Sequence, residues 1–175
     1  APYLKDGQAM VLNPGATGGA LEARATLIEE GCTAKVLVAE TDTLLYACRS
    51  PKPGEAIIGG IKDGLSIAAL PAKDTPQVVE RLNQAFPQFK AVSSVLITSL
   101  NNANSMMHPA PTILNAGRIE CKEPFDYYFQ GVTPALARVV ETLDAERLAI
   151  GKAMGVEVPS IHDFYRTSYA AFGKN

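Results

Sequence analysis

The sequence is poor in the residues from which metal sites and disulfide frameworks are built. It contains no tryptophan and, in 175 residues, only three cysteines and two histidines. Cys32, Cys48 and Cys121 are odd in number and far apart, which argues against a zinc site and against a set of disulfides. We therefore predict no metal and, from the cysteine usage, a reducing cytoplasmic location.

Basic clusters and long apolar runs are also missing. The 16 Lys and Arg residues against 18 Asp and Glu give a formal net charge of -2, which predicts no surface for nucleic acid. The longest apolar runs, such as 36–39 and 67–70, are far shorter than the roughly 20 residues that cross a bilayer. We expect a globular chain with neither a nucleic-acid nor a membrane partner, and its 47% hydrophobic residues suffice for one good core.

The N-terminal part shows the pattern of strand, helix and strand. A strand is predicted over residues 8–13, a helix over 20–30 that ends at Gly31, and a second strand over 35–40. Because a crossover of this kind joins parallel strands, the pattern predicts a βαβ unit.

The next residues predict a sheet that is not purely parallel. Two β-rich runs within 55–70 flank Lys62-Asp63-Gly64, and an Asp-Gly step between apolar runs is typical of a hairpin. A helix is predicted over 75–86, followed by another strand over 91–98. The expected fold class is therefore α/β with a mixed sheet, up to a boundary near Leu100 that separates residues 1–100 from an all-helical part, 101–175.

Two helix starts are marked in that second part. Thr133 is predicted to cap a helix whose apolar stripe runs to Gly155. Ser160 and Asp163 resemble a capping box for a last helix, which we expect Gly173 to end. The stripe of the long helix consists of Leu136, Val140, Leu143, Ile150 and Met154.

The most pointed group of polar residues surrounds His108. On a continuous helix, Asn101, Asn104 and His108 would share one face, since steps of three and four residues return to the same side. An imidazole titrates near neutrality and can exchange a proton with a substrate, and carboxamides can orient a polar substrate or a nicotinamide amide. The alternative is a helix start capped by asparagines with an unremarkable surface histidine. Pro109 and Pro111 favour a site, because they should distort the helix beside His108.

A glycine-rich loop, 13–19, lies between the first strand and the first helix. Such a loop at a helix N-terminus favours an anion, and Glu40 at the end of the next strand imitates the acid that binds ribose in dinucleotide sites. The glycine spacing is G-x-x-G-G and not G-x-G-x-x-G, so three interpretations stay open. They are a pyrophosphate site, a tight turn that packs the helix on the sheet, and a loop beside the nicotinamide or substrate.

Two further features are candidates for substrate contact. Glu40 and Thr41 leave the carboxyl end of a strand, the edge where α/β proteins usually bind ligands, although a solvated loop explains them equally well. Arg118 has the two-pronged geometry for a carboxylate, or is an exposed surface charge. His162 is expected to be a surface residue.

Three segments in this order resemble the opine dehydrogenases, the family that includes octopine and nopaline dehydrogenases and N-(1-D-carboxylethyl)-L-norvaline dehydrogenase. Residues 13–19 are similar to the loop after a late strand of that family's Rossmann domain, and 40–49 to its next block. Residues 101–118 resemble the helix that opens the family's all-helical domain, and this segment is the most specific of the three.

The resemblance implies that 1–100 is the second half of a nucleotide-binding, Rossmann-like domain and that 101–175 begins an all-helical substrate and catalytic domain. It implies NAD(P)H-dependent reductive condensation of an amino acid with a 2-oxo acid through an imine. His108 would be the catalytic acid/base, with Asn104 beside it. The residues on the substrate or nicotinamide side would be Asn13, Gly15, Thr17, Glu40, Thr41, Asn101 and Arg118.

Two family features are expected to lie outside the chain, which lacks an initiator methionine and a signal-peptide pattern. No G-x-G-x-x-G loop is present, and the aspartate that the family pairs with its histidine is expected beyond Asn175, since Asp126, Asp144 and Asp163 do not match that motif. We therefore expect the 175-residue chain alone to bind NAD(P) weakly and to be slow or inactive.

Two alternatives remain. Ketopantoate reductases and glycerol-3-phosphate dehydrogenases share this architecture, but they use a catalytic lysine on the corresponding helix, and no lysine occurs between Lys90 and Lys122. The other alternative is a non-catalytic helical module in which helix 133–155 forms the contact of a homodimer.

Overall fold

The computed structural model describes residues 2–168. In that range the strands are β1 (Ala9–Leu12), β2 (Leu37–Thr41), β3 (Tyr46–Arg49), β4 (Ile57–Ile61), β5 (Leu65–Leu70) and β6 (Phe89–Ala91). The helices are α1 (Gly19–Glu29), α2 (Thr75–Asn83), α3 (Val95–Leu100), α4 (Asn104–Met107), α5 (Pro109–Leu114), α6 (Ala116–Glu120), α7 (Pro134–Ala153) and α8 (Ile161–Ser168). None of these helices is both long enough and apolar enough to cross a membrane.

The described residues form two compact units. The first unit comprises residues 2–102 and 165–168, and the second comprises 103–164. The division after Asn102 lies close to the point at which the strand pattern stops in the sequence. The assignment of residues 1–100 and 101–175 to two domains of a longer protein stays a prediction.

The first unit is built on a mixed four-stranded sheet in the order β1-β2-β5-β6. Strands β1 and β2 are parallel, with Ala9 opposite Leu37, so the predicted βαβ unit is confirmed. Strand β5 runs antiparallel to β2 and parallel to β6. The predicted fold class, an α/β chain with a mixed sheet followed by helices, is confirmed.

Helices cover both faces of this sheet because successive residues of a strand point to opposite sides. Ala39 and Ile67 belong to a core that also contains Val78 of α2. Their neighbours Val38 and Ala68 belong to a second core with Ala20 and Leu27 of α1 and Val95 of α3. Strands buried on both faces read as continuous apolar runs, as these do.

The hairpin predicted around Lys62-Asp63-Gly64 is wrong. Strand β4 pairs with β3 in a separate two-stranded sheet, whereas β5 pairs with β2. The Asp-Gly step therefore joins strands of different sheets. Lys62 is 3% exposed, and its backbone N–H donates to Leu45 O at 3.0 Å, so pairing with the preceding segment turns the chain away from a tight hairpin.

The strand predicted over 91–98 is also wrong, since β6 ends at Ala91 and a helix follows. Ser94 caps α3, its Oγ accepting a 3.1 Å hydrogen bond from Leu96 N. Val95 and Thr98 are buried, and α3 packs on β2 and β5. The β-branched residues that suggested a strand thus form a helix because an N-cap and tertiary packing outweigh a weak intrinsic preference.

The second unit is helical, and α7 is its longest element. Thr133 caps α7 as predicted, accepting from Leu136 N at 3.3 Å, with Pro134 in the first turn. The predicted stripe holds for Leu136 and Val140, which are buried, but Ile150 is 51% exposed. The face of α7 that is buried continues instead through Asp144, Arg147 and Gly151.

An ion pair between Asp144 and Arg147 explains why the buried face of α7 differs from the predicted apolar stripe. The Arg147 guanidinium donates to Asp144 Oδ1 through Nε at 2.9 Å and Nη2 at 2.6 Å, and Nη2 also reaches Pro159 O at 2.6 Å. Asp144 Oδ2 accepts from Ile161 N at 2.9 Å. A paired and fully bonded charge can be buried where an unpaired one cannot, so this pair takes the place of apolar residues.

The predicted capping box of the last helix is confirmed. Asp163 N donates to Ser160 Oγ at 3.1 Å, and α8 begins between them, at Ile161. Gly173, expected to end this helix, lies outside the described residues.

Candidate functional site

His108 lies at a break between two short helices. It follows the last residue of α4 and precedes Pro109, the first residue of α5, with φ −111 and ψ −53. A proline has no N–H and its ring clashes with the preceding turn, which is why Pro109 and Pro111 interrupt the helix here. The distortion predicted beside His108 is confirmed.

Two tyrosines flank the His108 imidazole, which is exposed. The ring centroids of Tyr127 and Tyr128 lie 6.1 and 6.3 Å from the imidazole centroid. The two tyrosine rings meet edge to face, 5.1 Å apart with an interplanar angle of 87°. Sequence reasoning missed both, although the aromatic run Tyr127-Tyr128-Phe129 was the available signal.

The predicted face of Asn101, Asn104 and His108 is wrong in one member. Asn104 opens α4, is exposed, and its carbonyl accepts from His108 N at 3.1 Å, so these two residues are one helical turn apart. Asn101 instead follows the last residue of α3 in the first unit. It is 6% exposed, and its Nδ2 donates to Asp42 Oδ2. Residues 101–103 are not helical, so no continuous helix joins the three.

Arg118 makes its contacts to a neighbouring loop. Its guanidinium carbon lies 4.3 Å from the centre of the Phe125 ring, and Nη1 donates to Gln130 O at 3.1 Å. The side chain is exposed, as the surface interpretation expected. In the described residues Arg118 holds the loop 121–132 against α6, and its role on a substrate carboxylate stays a prediction.

Backbone N–H groups at the end of the glycine-rich loop and in the first turn of α1 donate to groups inside the protein. Gly18 N donates to Ser99 Oγ at 3.0 Å, and Ala20 N donates to Glu40 Oε2 at 2.6 Å. A buried carboxylate thus occupies the N-terminus of α1, where the helix dipole favours negative charge. Of the three interpretations, pyrophosphate binding is not supported, and the turn that packs the helix on the sheet is.

Glu40 is the centre of this arrangement and does not face solvent. It is 0% exposed, and its Oε1 accepts hydrogen bonds from Thr98 Oγ1 at 2.6 Å and Ser99 Oγ at 2.8 Å. The Glu40 carboxylate is thus committed to internal hydrogen bonds, and its assignment to the substrate or nicotinamide side stays a prediction. Gly15 packs directly against this side chain, where any Cβ would overlap Glu40 atoms, so glycine is required by the close approach.

The remaining predicted residues of the loop differ in exposure. Thr41 is fully buried, and its hydroxyl lies 3.1 Å from Asn13 Oδ1 and 2.9 Å from Thr43 O. Asn13 and Thr17 are exposed. Thr17 Oγ1 bonds Ser99 O at 3.2 Å, whereas the Asn13 amide nitrogen makes no hydrogen bond within residues 2–168. Asn13 therefore offers a donor to solvent just after β1.

Two buried residues of opposite charge, Asp42 after β2 and Lys62 after β4, were also missed. Asp42 is 5% exposed and accepts from Ser66 N at 3.1 Å, and Lys62 donates to Thr43 Oγ1. Burial raises the pKa of Asp42, although hydrogen bonds from Ser66 and Asn101 and the charge of Lys62 oppose the rise. Burial also lowers the pKa of Lys62, against the charge of Asp42.

A surface cleft of about 510 Å³ lies elsewhere in the first unit. Its lining includes Arg24, Cys32, Lys35 and Leu37, at the amino end of β2. Ligands of open α/β sheets bind outside the carboxyl ends of the strands. We therefore do not count this cleft among the candidate sites.

Comparison with known proteins relates the chain to one group of dehydrogenases. Residues 91–173 match the family model described as the alpha-helical domain of NAD/NADP octopine/nopaline dehydrogenase. The opine dehydrogenase of Arthrobacter sp. (strain 1C) is 46% identical over 169 residues, which is 97% of this chain and 47% of that protein. The chain thus spans about half the length of this relative.

Solved structures show the same fold. Octopine dehydrogenase in complex with NADH and agmatine superposes with a TM-score of 0.74 at 22% identity, covering 100% of this chain and 46% of that one. Octopine dehydrogenase with NADH and L-arginine gives a TM-score of 0.72 at 23% identity, with coverages of 100% and 46%. At these identities the structural likeness establishes the fold.

Proposed function

This chain is a relative of the opine dehydrogenases, and from that premise we propose that the protein carrying it joins an amino acid to a 2-oxo acid with NAD(P)H. The amino group adds to the oxo carbon, water leaves to give an imine, and the imine carbon receives a hydride. The bound dinucleotide supplies that hydride, and the protein positions the reactants and moves the protons. The 46% identity to an opine dehydrogenase is the observation that carries the proposal.

His108 is proposed as the acid/base. Loss of water from the adduct requires a proton on the departing hydroxyl, and an exposed imidazole can give that proton and take another from the attacking amine. Asn104, one turn earlier and also exposed, is proposed to orient a substrate oxygen or amino group through its carboxamide.

Asn13 and Thr17 are the residues of the first unit that we propose on the nicotinamide side. The glycine loop does not suit a pyrophosphate, because Glu40 and Ser99 already accept from Ala20 N and Gly18 N. A nicotinamide carboxamide needs single donors and acceptors, and the exposed Asn13 amide fits that requirement. Gly15, Thr41, Glu40 and Asn101 support this region from within.

Two finer features belong to the same proposal. We propose a homodimer that uses the exposed apolar residues Val139 and Ile150 of α7 and Met154, which directly follows this helix. We also propose a cytoplasmic location, which suits the free thiols of Cys32, Cys48 and Cys121. Size-exclusion chromatography with light scattering tests the first, and cell fractionation tests the second.

The activity is tested in the full-length protein by following NADH and NADPH oxidation with pyruvate and a panel of amino acids, with the amino acid omitted as the control. His108→Gln is expected to lower kcat by roughly a hundredfold or more, the usual contribution of a general acid/base. His162→Gln is the matched control, because His162 is also exposed and lies 3.1 Å from Glu141.

The three possible outcomes of this assay distinguish the three candidate functions. Turnover that needs both substrates and is lost only in His108→Gln supports the proposal. Oxidation with the oxo acid alone would place the protein with 2-oxo acid reductases of the ketopantoate reductase type. No oxidation with any pair would leave the helical dimerisation module as the better reading.

A further inference from the structure

The break in the helix leaves the backbone around His108 short of a hydrogen-bond donor. In a continuous α-helix, the carbonyl of residue i accepts from the N–H of residue i+4. For Met107 that donor would be residue 111, which is a proline and has no N–H. The prolines that interrupt the helix beside His108 therefore also remove backbone support just before it.

The hydroxyl of Tyr127 supplies a substitute donor. Its oxygen lies 3.3 Å from Met107 O and 2.9 Å from His108 O. The same oxygen lies 3.0 Å from Thr112 Oγ1. Because a phenol has one proton to donate, the consistent arrangement has Thr112 donating to Tyr127 and Tyr127 donating to the backbone at the break. His108 O also accepts from Thr112 N at 3.1 Å, so residues 108, 112 and 127 form one bonded set.

The segment that carries Tyr127 is itself firmly held. Asp126 Oδ1 accepts from Phe129 N at 2.9 Å, and Asp126 O accepts from Gly131 N at 3.0 Å, which closes a tight turn. Asn115, 7% exposed, fixes this turn by donating to Gly131 O at 3.0 Å and to Pro111 O at 2.8 Å. The turn is thus tied to the proline-containing helix α5, and Tyr127 has a fixed base from which to act.

We propose that Tyr127 is a positioning residue for His108. Its hydroxyl holds the backbone carbonyl of His108 at the helix break, and its ring limits the directions open to the imidazole. The hydroxyl is committed to Met107, His108 and Thr112, so Tyr127 acts through His108 and not on the substrate. This inference rests on the proposed role of His108 as the acid/base.

Tyr127→Phe in the full-length protein tests the inference, because it removes the hydroxyl and keeps the ring. We expect kcat to fall roughly three- to tenfold, the effect of one hydrogen bond, with the KM values for dinucleotide and substrates unchanged. The imidazole signal of His108 in the NMR spectrum of protein labelled with 15N-histidine should shift, and His108→Gln identifies that signal. Tyr3→Phe is the matched control, because Tyr3 is 90% exposed.

A second variant, Thr112→Val, removes the other hydroxyl of the set and should change kcat and the His108 signal in the same direction. If circular dichroism shows that Tyr127→Phe is unfolded, Thr112→Val tests the positioning role in its place. A His108 signal and a kcat equal to those of the parent, whatever the change in unfolding temperature, would make Tyr127 merely structural and overturn the inference. Full turnover in His108→Gln would instead refute the acid/base role, while the NMR comparison still reports whether Tyr127 positions the imidazole.

Discussion

Oε2 of Glu40, at the end of β2, accepts a 2.6 Å hydrogen bond from the backbone N–H of Ala20, in the first turn of α1. The helix start that follows the glycine loop is therefore bound to an anion that belongs to the chain itself. A phosphate at this position would have to displace a side chain that is 0% exposed. The loop resembles a nucleotide-binding turn in composition, but the helix start that follows it is hydrogen-bonded to a buried side chain of the same chain.

Replacing the Glu40 carboxylate tests this role. Glu40→Gln keeps the shape but puts an amide donor among three groups that all donate, Ala20 N and the hydroxyls of Thr98 and Ser99. We expect a loss of about 1–3 kcal/mol in the free energy of unfolding, measured by urea titration. Glu22→Gln makes the same change at an exposed residue of the same first turn and should cost less than about 1 kcal/mol. Equal losses would mean that only the charge near the helix end matters.

The buried Asp42 predicts a pH dependence of stability. Folding raises the pKa of Asp42 above its ordinary value of 3.8. Between pH 3.8 and the raised pKa, the folded state therefore binds more protons than the unfolded state. The contribution of this group is therefore complete below pH 3.8 and is lost as the pH rises through the raised pKa.

Asp42→Asn removes that contribution. The stability of the variant relative to the parent should therefore increase as the pH is raised from 3.8 towards neutrality, measured by urea unfolding at a series of pH values. Asp63→Asn, the same change at an exposed residue beside Lys62, is the control for overall charge. A relative stability of Asp42→Asn that is flat across this range, or falls, contradicts the prediction.

Breaking the ion pair between Asp144 and Arg147 should lower the free energy of unfolding by a large amount. Asp144→Ala removes the carboxylate that balances the charge of a guanidinium only 8% exposed, and it also frees Ile161 N. We expect a loss of about 3–5 kcal/mol, typical of an uncompensated buried charge, seen in thermal and urea unfolding. Glu141→Ala breaks the exposed contact to His162 and should cost at most about 1 kcal/mol. A small loss in Asp144→Ala would show that Arg147 finds another partner or solvent.

Asn104→Ala should lower kcat/KM and leave the unfolding temperature almost unchanged. The side chain is exposed, so the expected effect is about a tenfold fall in kcat/KM for the amino acid and oxo acid pair, the value of one hydrogen bond made in the transition state. Steady-state kinetics measure it, and an unchanged unfolding temperature serves as the control. Wild-type kinetics in Asn104→Ala would exclude the residue from substrate binding.

Local patterns identified much of the framework. The βαβ unit, the Thr133 cap, the Ser160–Asp163 box and the break at Pro109 depend on neighbours within a few residues, and the sequence displays those neighbours directly. His108 was singled out for the same reason, since an imidazole before two prolines is visible without any tertiary contact.

Long-range partners were out of reach of the same reasoning. Tyr127 lies 19 positions from His108, and Thr98 lies 58 positions from Glu40. The hairpin at Lys62 and the strand over 91–98 failed because the pairing of β5 with β2 and the packing of α3 on the sheet were decided by partners distant in sequence.

By itself, therefore, the sequence determined several of the chain's elements, its mixed α/β class and the histidine on which a proton-transfer site is proposed, because periodicity, caps and prolines act locally. Only the tertiary structure decided which polar groups are spent on holding the fold and which face solvent. It placed Glu40 and Asn101 inside and left Asn13, Asn104 and His108 exposed, since burial and hydrogen-bond partners are set by residues that meet only when the chain has folded.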